Sequence, residues 1–322
     1  MNRLLARVTL PAVAATLALA GCSAPAATPA ASDGTAAANA APQNITITHK
    51  QGTAEVPVDP AKVVVLDTAS LDTLDELDLE DRVVGIPQMA AMPEGLKTYA
   101  DTETVGTAQE PDLEAIAALD PAAIIISGRS AAKYAELNEV APTIDLSSDN
   151  AKPIESLKTS AQALGDLFNV REKVDAELAE LDELIADAKG SVKTDAKSLI
   201  LLTSGGKVSA FGPGARFGGL IHDVLGVPAA STDLEASQHG QAVSFEFIAE
   251  TNPDVLFVVD RDAAIGQQGQ AAKQVLDNPL VARTPAWTND KVIYLDGSDW
   301  YTIGFGLDST ERMVEAVKDA VS

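Results

Sequence analysis

Cysteine is almost absent from this chain of 322 residues: the single one is Cys22. No intramolecular disulfide can form, and a catalytic thiol or a cysteine-based zinc site is excluded. Histidine occurs only at His49, His222 and His239, too few for a site that collects several imidazoles. Basic residues are scarce as well, 23 against 47 acids, for a net charge of −24. Such a surface repels nucleic acid and anionic lipid, so an anionic ligand needs a local cluster of positive charge. Also missing are a Gly-x-Ser-x-Gly elbow and a His-Glu-x-x-His pair, which argues against a hydrolase. Residues 203–207 (TSGGK) lack the first glycine of a phosphate-binding loop, and the glycines of 212–219 (GPGARFGG) miss dinucleotide spacing.

The apolar run Val8 to Ala20 follows Arg3 and Arg7 and is shorter than the ~20 residues that span a bilayer. It reads as a signal segment, residues 1–21. Leu19, Ala20, Gly21 and Cys22 resemble the bacterial lipobox, which implies cleavage before Cys22 and lipidation of its thiol. An ordinary secretory signal with an incidental cysteine is the competing reading. From Cys22 onward 47 acids face 21 bases, because Arg3 and Arg7 precede it. Residues 22–44 are mostly Ala, Pro, Ser, Thr and Asn with nothing large and apolar, so a disordered tether is expected.

From Ile45 the pattern changes to that of a globular fold, with 46% hydrophobic residues overall. Residues 45–58 alternate about a turn at Gln51 and Gly52, which predicts an edge hairpin. Apolar runs at 62–66, 82–86, 124–126 and 143–146 alternate with helical stretches, the signature of a parallel sheet covered on both faces. A second series of runs begins near 198, 207, 255 and 291. Between the two series, residues 153–190 show helical period without a strand: Ile154, Leu157, Ala161, Leu164 and Phe168, then Val170, Val174, Leu178, Leu181 and Ile185. The second piece is long enough for a strut between lobes, with coiled-coil dimerisation the competing use of its stripe. The expected organisation is two Rossmann-like α/β lobes with mainly parallel sheets, residues 45–152 and 191–322, joined by a linking helical segment at 153–190.

An internal repeat supports two lobes. Residues 114–129 (EAIAALDPAAIIISGR) recur 132 positions later as 246–261 (EFIAETNPDVLFVVDR), with five of sixteen positions identical, among them the Glu, the turn Pro and the final Arg. Each lobe therefore carries a Glu at a helix start (Glu114, Glu246) and an Arg at a strand end (Arg129, Arg261). Open α/β sheets bind ligands at the carboxyl ends of strands, which makes both arginines candidates. Arg216 follows a Gly-Pro-Gly turn at the expected start of a helix over 216–225, a place favourable to anions. The alternative for each is a surface ion pair. His222, inside that helix, reads as a packing residue, and His49 as solvent-facing.

Taken together, the lipobox, the two lobes, the strut and the repeated Glu…Arg unit resemble the class III (helical-backbone) substrate-binding proteins of bacterial ABC importers. GPGARFG, QHGQ, VVDR and DWY resemble the branch that binds ferric catecholate siderophores. The resemblance implies a non-enzymatic, lipid-anchored extracytoplasmic receptor, expected as a monomer. Its ligand-facing arginines are Arg129, Arg216 and Arg261. Its conditional iron-coordinating pair is His239 and Tyr301, and its permease-docking glutamates are Glu114 and Glu246. No intrinsic cofactor is implied; ferric iron enters as cargo. Three arginines balance the three negative charges of a ferric tris-catecholate, and Trp300 or Phe211 could pack on its rings. The alternatives are hydroxamate siderophore, haem or cobalamin within the same fold, a free Mn or Zn receptor, and an extracellular hydrolase.

Overall fold

The computed structural model describes residues 43–193 and 195–321. The signal segment and Cys22 lie outside the described residues; of the tether only Gln43 and Asn44 are described, and Asn44 already pairs with Pro57. That pair opens an antiparallel ribbon of β1 (Asn44–His49) and β2 (Gly52–Pro57), whose alternation buries Ile47, Ala54 and Val56 on one face. His49 is not solvent-facing as expected. Its ring packs 5.5 Å from that of Tyr134 and its Nδ1 accepts the Gln51 N–H at 3.2 Å, because the turn folds back onto the first lobe.

The first sheet takes the order β4-β3-β5-β6, from β3 (Val63–Val65), β4 (Val83–Gly85), β5 (Ala123–Ile126) and β6 (Thr143–Asp145), all parallel. The continuous apolar runs follow from burial on both faces. Val63, Val65 and Ile125 enter one cluster, while Val64, Ile124 and Ile126 enter another on the opposite side. The second sheet runs β11-β10-β7-β8-β9, from β7 (Ser198–Ser204), β8 (Lys207–Phe211), β9 (Gln241–Ala242), β10 (Val255–Asp260) and β11 (Val292–Leu295). Here β10 is parallel to β7 and β11, but β8 pairs antiparallel with β7, and β9 antiparallel with β8. The two-residue loop Gly205 and Gly206, both at positive φ, turns the chain straight back and leaves no room for a crossover helix.

The helical half of the repeat is carried into three dimensions residue for residue. After α1 (Thr68–Glu76) come α2 (Leu113–Leu119), α3 (Tyr134–Val140), α4 (Pro153–Leu167), α5 (Arg171–Ser191) and α6 (Phe245–Thr251). Helices α2 and α6 occupy equivalent positions. Asp112 caps the first through its side chain and Ser244 caps the second. Ile116 and Ile248 are fully buried, and Asp120 and Asn252 end the helices in the left-handed region at φ 51°, ψ 58° and φ 50°, ψ 57°.

Asn169, at φ 56°, separates α4 from α5. The 21-residue α5 is about 31 Å long and buries Val174, Leu178, Leu181, Ile185 and Ala188 against α4 and the C-terminal helix Leu307–Val321. This stripe, which a coiled coil would have used, is consumed within the chain. One core cluster takes Val65 from the first sheet, Phe257 from the second, and the buried faces of α4, α5 and the C-terminal helix. That shared core ties the two sheets together.

A candidate cleft gathered around Tyr301

Arg129 stands in the turn after β5, and Arg261 opens the one-turn helix α7 (Arg261–Ala264) after β10. Arg216 is not at a helix start as expected: the helical turn that follows begins at Gly219 and runs to Val224 with π-type winding. The loop before it is folded too tightly for a continuous helix. A Cβ at Gly218 would stand 1.8 Å from the Gly212 carbonyl oxygen. Residues 212–218 therefore form a closed loop that presents Arg216, while His222 is buried with its Nδ1 paired to the Val227 carbonyl at 2.8 Å. Burial lowers the pKa of His222, as its packing role requires.

All three arginines converge on Tyr301, in a π-type turn from Ser298 to Ile303 that Gly304 ends at φ 87°, ψ −143°. Arg129 Nη2 donates to the Tyr301 carbonyl at 3.2 Å, and Arg216 Nη2 donates to the same oxygen at 2.6 Å. Arg261 Nε donates to the Tyr301 hydroxyl at 2.8 Å. The guanidinium carbons of Arg216 and Arg261 lie 4.7 and 5.5 Å from the ring centroid. The next carbonyls continue the pattern: Thr302 accepts from Arg129 Nη1 at 3.4 Å and from Thr68 Oγ1 at 2.8 Å. Burial, then the neighbouring Arg129 charge, pushes the Arg216 pKa down to about 10, so it still carries its proton at neutral pH.

Two cavities meet at this cluster. The first is bordered by Arg129, Arg216, Phe217, Trp300, Asp67 and several serines. The second is bordered by Arg129, Arg261, Tyr301, Met89 and Gln88. Arg129 and Thr68 border both. Trp300 is buried at 3% exposure and meets Phe217 edge-on at 6.1 Å, with Phe217 4.6 Å from Phe211.

His239 lies two residues past Ser237, whose carbonyl accepts the Arg216 backbone N–H at 3.4 Å. It is exposed, borders neither cavity, and its backbone N–H donates to Ser237 Oγ at 3.1 Å. The neighbouring Gln238 nevertheless borders the cavity that Arg129 and Arg216 line. The Tyr301 hydroxyl, meanwhile, is held by Arg261. Among the described residues no group of three or more His, Cys, Asp or Glu is arranged to hold a metal ion. Glu114 and Glu246 are both exposed in the first turns of α2 and α6, and the helix-start amide and the Ser244 hydroxyl lower the pKa of Glu246.

Sequence reasoning passed over Asp67, Thr68, Ser127 and Phe217. Asp67 and Thr68 come one residue, Leu66, past the carboxyl end of the central strand β3, and that position was the available signal. Asp67 caps α1, accepting from Ser70 N–H at 2.9 Å, and takes the Ser127 hydroxyl at 2.6 Å.

Residues 63–298 match the periplasmic binding protein family, a span that holds the three arginines and stops just short of Tyr301. Over 285 residues the chain is 46% identical to the petrobactin-binding protein YclQ of Bacillus subtilis (strain 168), covering 87% of this chain and 89% of that protein. It is 31% identical over 281 residues to the ferric-anguibactin-binding protein FatB of Vibrio anguillarum (strain ATCC 68554 / 775), covering 85% and 86%. The crystal structure of YclQ superposes with a TM-score of 0.84 at 45% identity, covering 87% of this chain and 99% of that one. The periplasmic catecholate-siderophore binding protein VctP from Vibrio cholerae superposes with a TM-score of 0.80 at 30% identity, covering 86% and 100%. With two α/β sheets bridged by a helical segment and this extent of similarity, the chain belongs to the periplasmic binding protein family.

Proposed function

We propose that the chain is a non-enzymatic extracytoplasmic receptor that binds a ferric siderophore of the catecholate class between its two α/β lobes and hands it to an ABC permease. The observation that carries this reading is the convergence of Arg129, Arg216 and Arg261 on Tyr301 at the mouths of two cavities, in a protein of net charge −24. Guanidinium forks suit catecholate oxygens and stay charged when partly buried. The names of YclQ and VctP, which specify petrobactin and catecholate siderophores, support the ligand class. On this reading residues 45–152 and 191–322 are the two halves of the site and 153–190 is the segment that limits their movement. Glu114 and Glu246 dock one permease subunit each, and Cys22 carries a lipid anchor that holds a monomeric receptor at the membrane. Trp300, beside Arg216 and Phe217, is a natural reporter.

The test is a fluorescence-quenching titration of the purified chain with a panel of ferric catecholates and ferric hydroxamates. Saturable binding confined to the catecholates is expected. Preference for hydroxamate, haem or cobalamin would move the assignment to those ligands. Mass spectrometry of the mature N-terminus should show an acylated Cys22; a product that begins elsewhere would remove the anchor.

A further inference from the structure

Arg312 lies in the C-terminal helix and borders neither cavity, yet its guanidinium collects carboxylates from three segments. Nε and Nη2 donate to the two oxygens of Asp299 at 3.1 and 2.7 Å, a two-bond fork. Nη2 also lies 3.4 Å from Asp72 Oδ1 in α1, and Nη1 pairs with Asp308 one helical turn away. Asp299 is buried at 8% exposure and stands two residues before Tyr301 in the turn Ser298–Ile303. Its carbonyl accepts the Gly304 N–H at 2.9 Å, the bond that closes the turn, and the Gly304 carbonyl accepts from Ser309 Oγ at 2.8 Å. On the first lobe, a Cβ at Gly95 would stand 3.0 Å from Arg312 Nη2, so the backbone there walls in the guanidinium. Arg312 thus ties the turn to α1, the helix whose first residue, Thr68, donates to the Thr302 carbonyl.

We propose that Arg312 is a positioning residue of the ligand site: through Asp299 and Asp72 it clamps the 298–303 turn against α1 and holds the Tyr301 carbonyl where Arg129 and Arg216 meet it. This rests on the reading of the arginine cleft as the ligand site. The direction of a backbone carbonyl follows the winding of its own turn. A single turn of π winding is rare and makes few internal hydrogen bonds, so outside contacts must fix it. The fork to Asp299 fixes the start of the turn and the Thr68 hydroxyl its end, which leaves Tyr301 and Thr302 aimed into the cleft. With the turn loosened, Arg129 and Arg216 lose the acceptors that orient them before a ligand arrives, and binding must supply that order itself. Lysine in place of Arg312 keeps the charge, but one ammonium cannot reproduce the fork on both oxygens of Asp299.

The experiment measures the affinity of the full chain for a ferric tris-catecholate in Arg312→Gln, Arg312→Lys and Asp299→Asn, at a temperature well below the Tm of each. Arg312→Gln should weaken binding by about tenfold, although the residue touches neither cavity, and Arg312→Lys should recover part of that loss. Asp299→Asn keeps the shape of the side chain and leaves Arg312 to Asp72 and Asp308. It should cause a similar loss with a smaller fall in Tm, and it carries the test should Arg312→Gln fail to fold. Combined with Arg312→Gln it should add no further loss of affinity, because the two residues act as one unit. In a Trp287→Phe background Trp300 is the sole tryptophan, and its near-ultraviolet circular dichroism should shrink in each variant as the turn loosens. Folded variants that bind like wild type, losses that add in the double variant, or an unchanged Trp300 spectrum would each overturn the clamp. A wild type that binds no ferric catecholate overturns the ligand reading instead, and the Trp300 spectrum then decides the clamp by itself.

Discussion

Arg129 and Arg216 come from different sheets of the molecule and donate to one acceptor, the backbone carbonyl oxygen of Tyr301, at 3.2 and 2.6 Å. Two like charges share one partial negative charge, and the proximity of Arg129 helps to lower the pKa of Arg216. The pair is poised to exchange a weak acceptor for a stronger, fully charged one. That relationship orders the expectations for the site.

Arg129→Ala and Arg216→Ala should each weaken ferric catecholate binding by roughly 30- to 100-fold, on the order of 2–3 kcal/mol, with little change in Tm. Lysine at either position should restore only part, since it keeps the charge and loses the fork. Arg261→Ala should show a similar loss together with a lowered Tm, because it strands the buried Asp262. Quenching titrations beside thermal melts check all three; arginine variants that bind like wild type would remove the assignment.

Tyr301→Phe keeps the ring under Arg216 and Arg261 and deletes the hydroxyl that accepts from Arg261 Nε. Hexadentate ferric catecholates, which fill the iron shell, should lose no more than a few fold. Tetradentate ones leave two iron sites open and should lose more if the phenol turns toward the metal. His239→Ala should matter only for the tetradentate class, whose open iron sites can take a ligand from the protein. Equal losses for both ligand classes would deny the phenol and the imidazole any role at iron.

Asp72 in α1 is buried at 1% exposure, where the Ser309 N–H and hydroxyl both donate to its Oδ2 at 3.0 Å and Arg312 Nη2 lies 3.4 Å from its Oδ1. Burial outweighs these partners and pushes its pKa up to about 7 from 3.8. Between those values the folded chain binds a proton that the unfolded chain has released. This contribution is complete below pH 3.8 and is lost as the pH rises to about 7. Relative to Asp72→Asn, wild type should therefore lose stability over that window, by at most ~4 kcal/mol. Urea unfolding of both proteins across the window measures the difference; parallel curves would mean that Arg312 compensates the charge fully.

Glu114→Ala with Glu246→Ala should abolish uptake while ligand affinity and Tm stay near wild type. Both carboxylates are exposed, and their helix starts remain capped by Asp112 and Ser244. A radiolabelled-iron uptake assay in cells decides this, and normal transport by the double variant would sink the docking role.

Much of this molecule was determined by local rules. Apolar runs of a few residues specified strands buried on both faces, the steps of three and four from Ile154 to Ile185 specified α4 and α5, and the repeat placed Glu114 and Glu246 at the starts of α2 and α6. Those features depend on side-chain period, caps and turn residues within one or two turns of chain, so one sequence carries them openly. The antiparallel β8 was also within reach, since Gly205 and Gly206 form the two-residue loop of a hairpin.

Only the tertiary structure decided what the arginines meet. The carbonyls of Tyr301 and Thr302 are backbone groups that every residue possesses, so no residue type announces them; the winding of residues 298–303 and its end at Gly304 aim them at Arg129 and Arg216. The exposure of His239, the closed loop before Gly219 and the burial of Asp72 against Ser309 likewise follow from packing between distant segments. The partnership of Arg261 with Asp262 is adjacent in sequence, yet it acts as a buried pair because β7 brings Ser204 and Gly205 against it. Burial converts an ordinary neighbour into a charge that Arg261 must pair, and burial is a property of the assembled core.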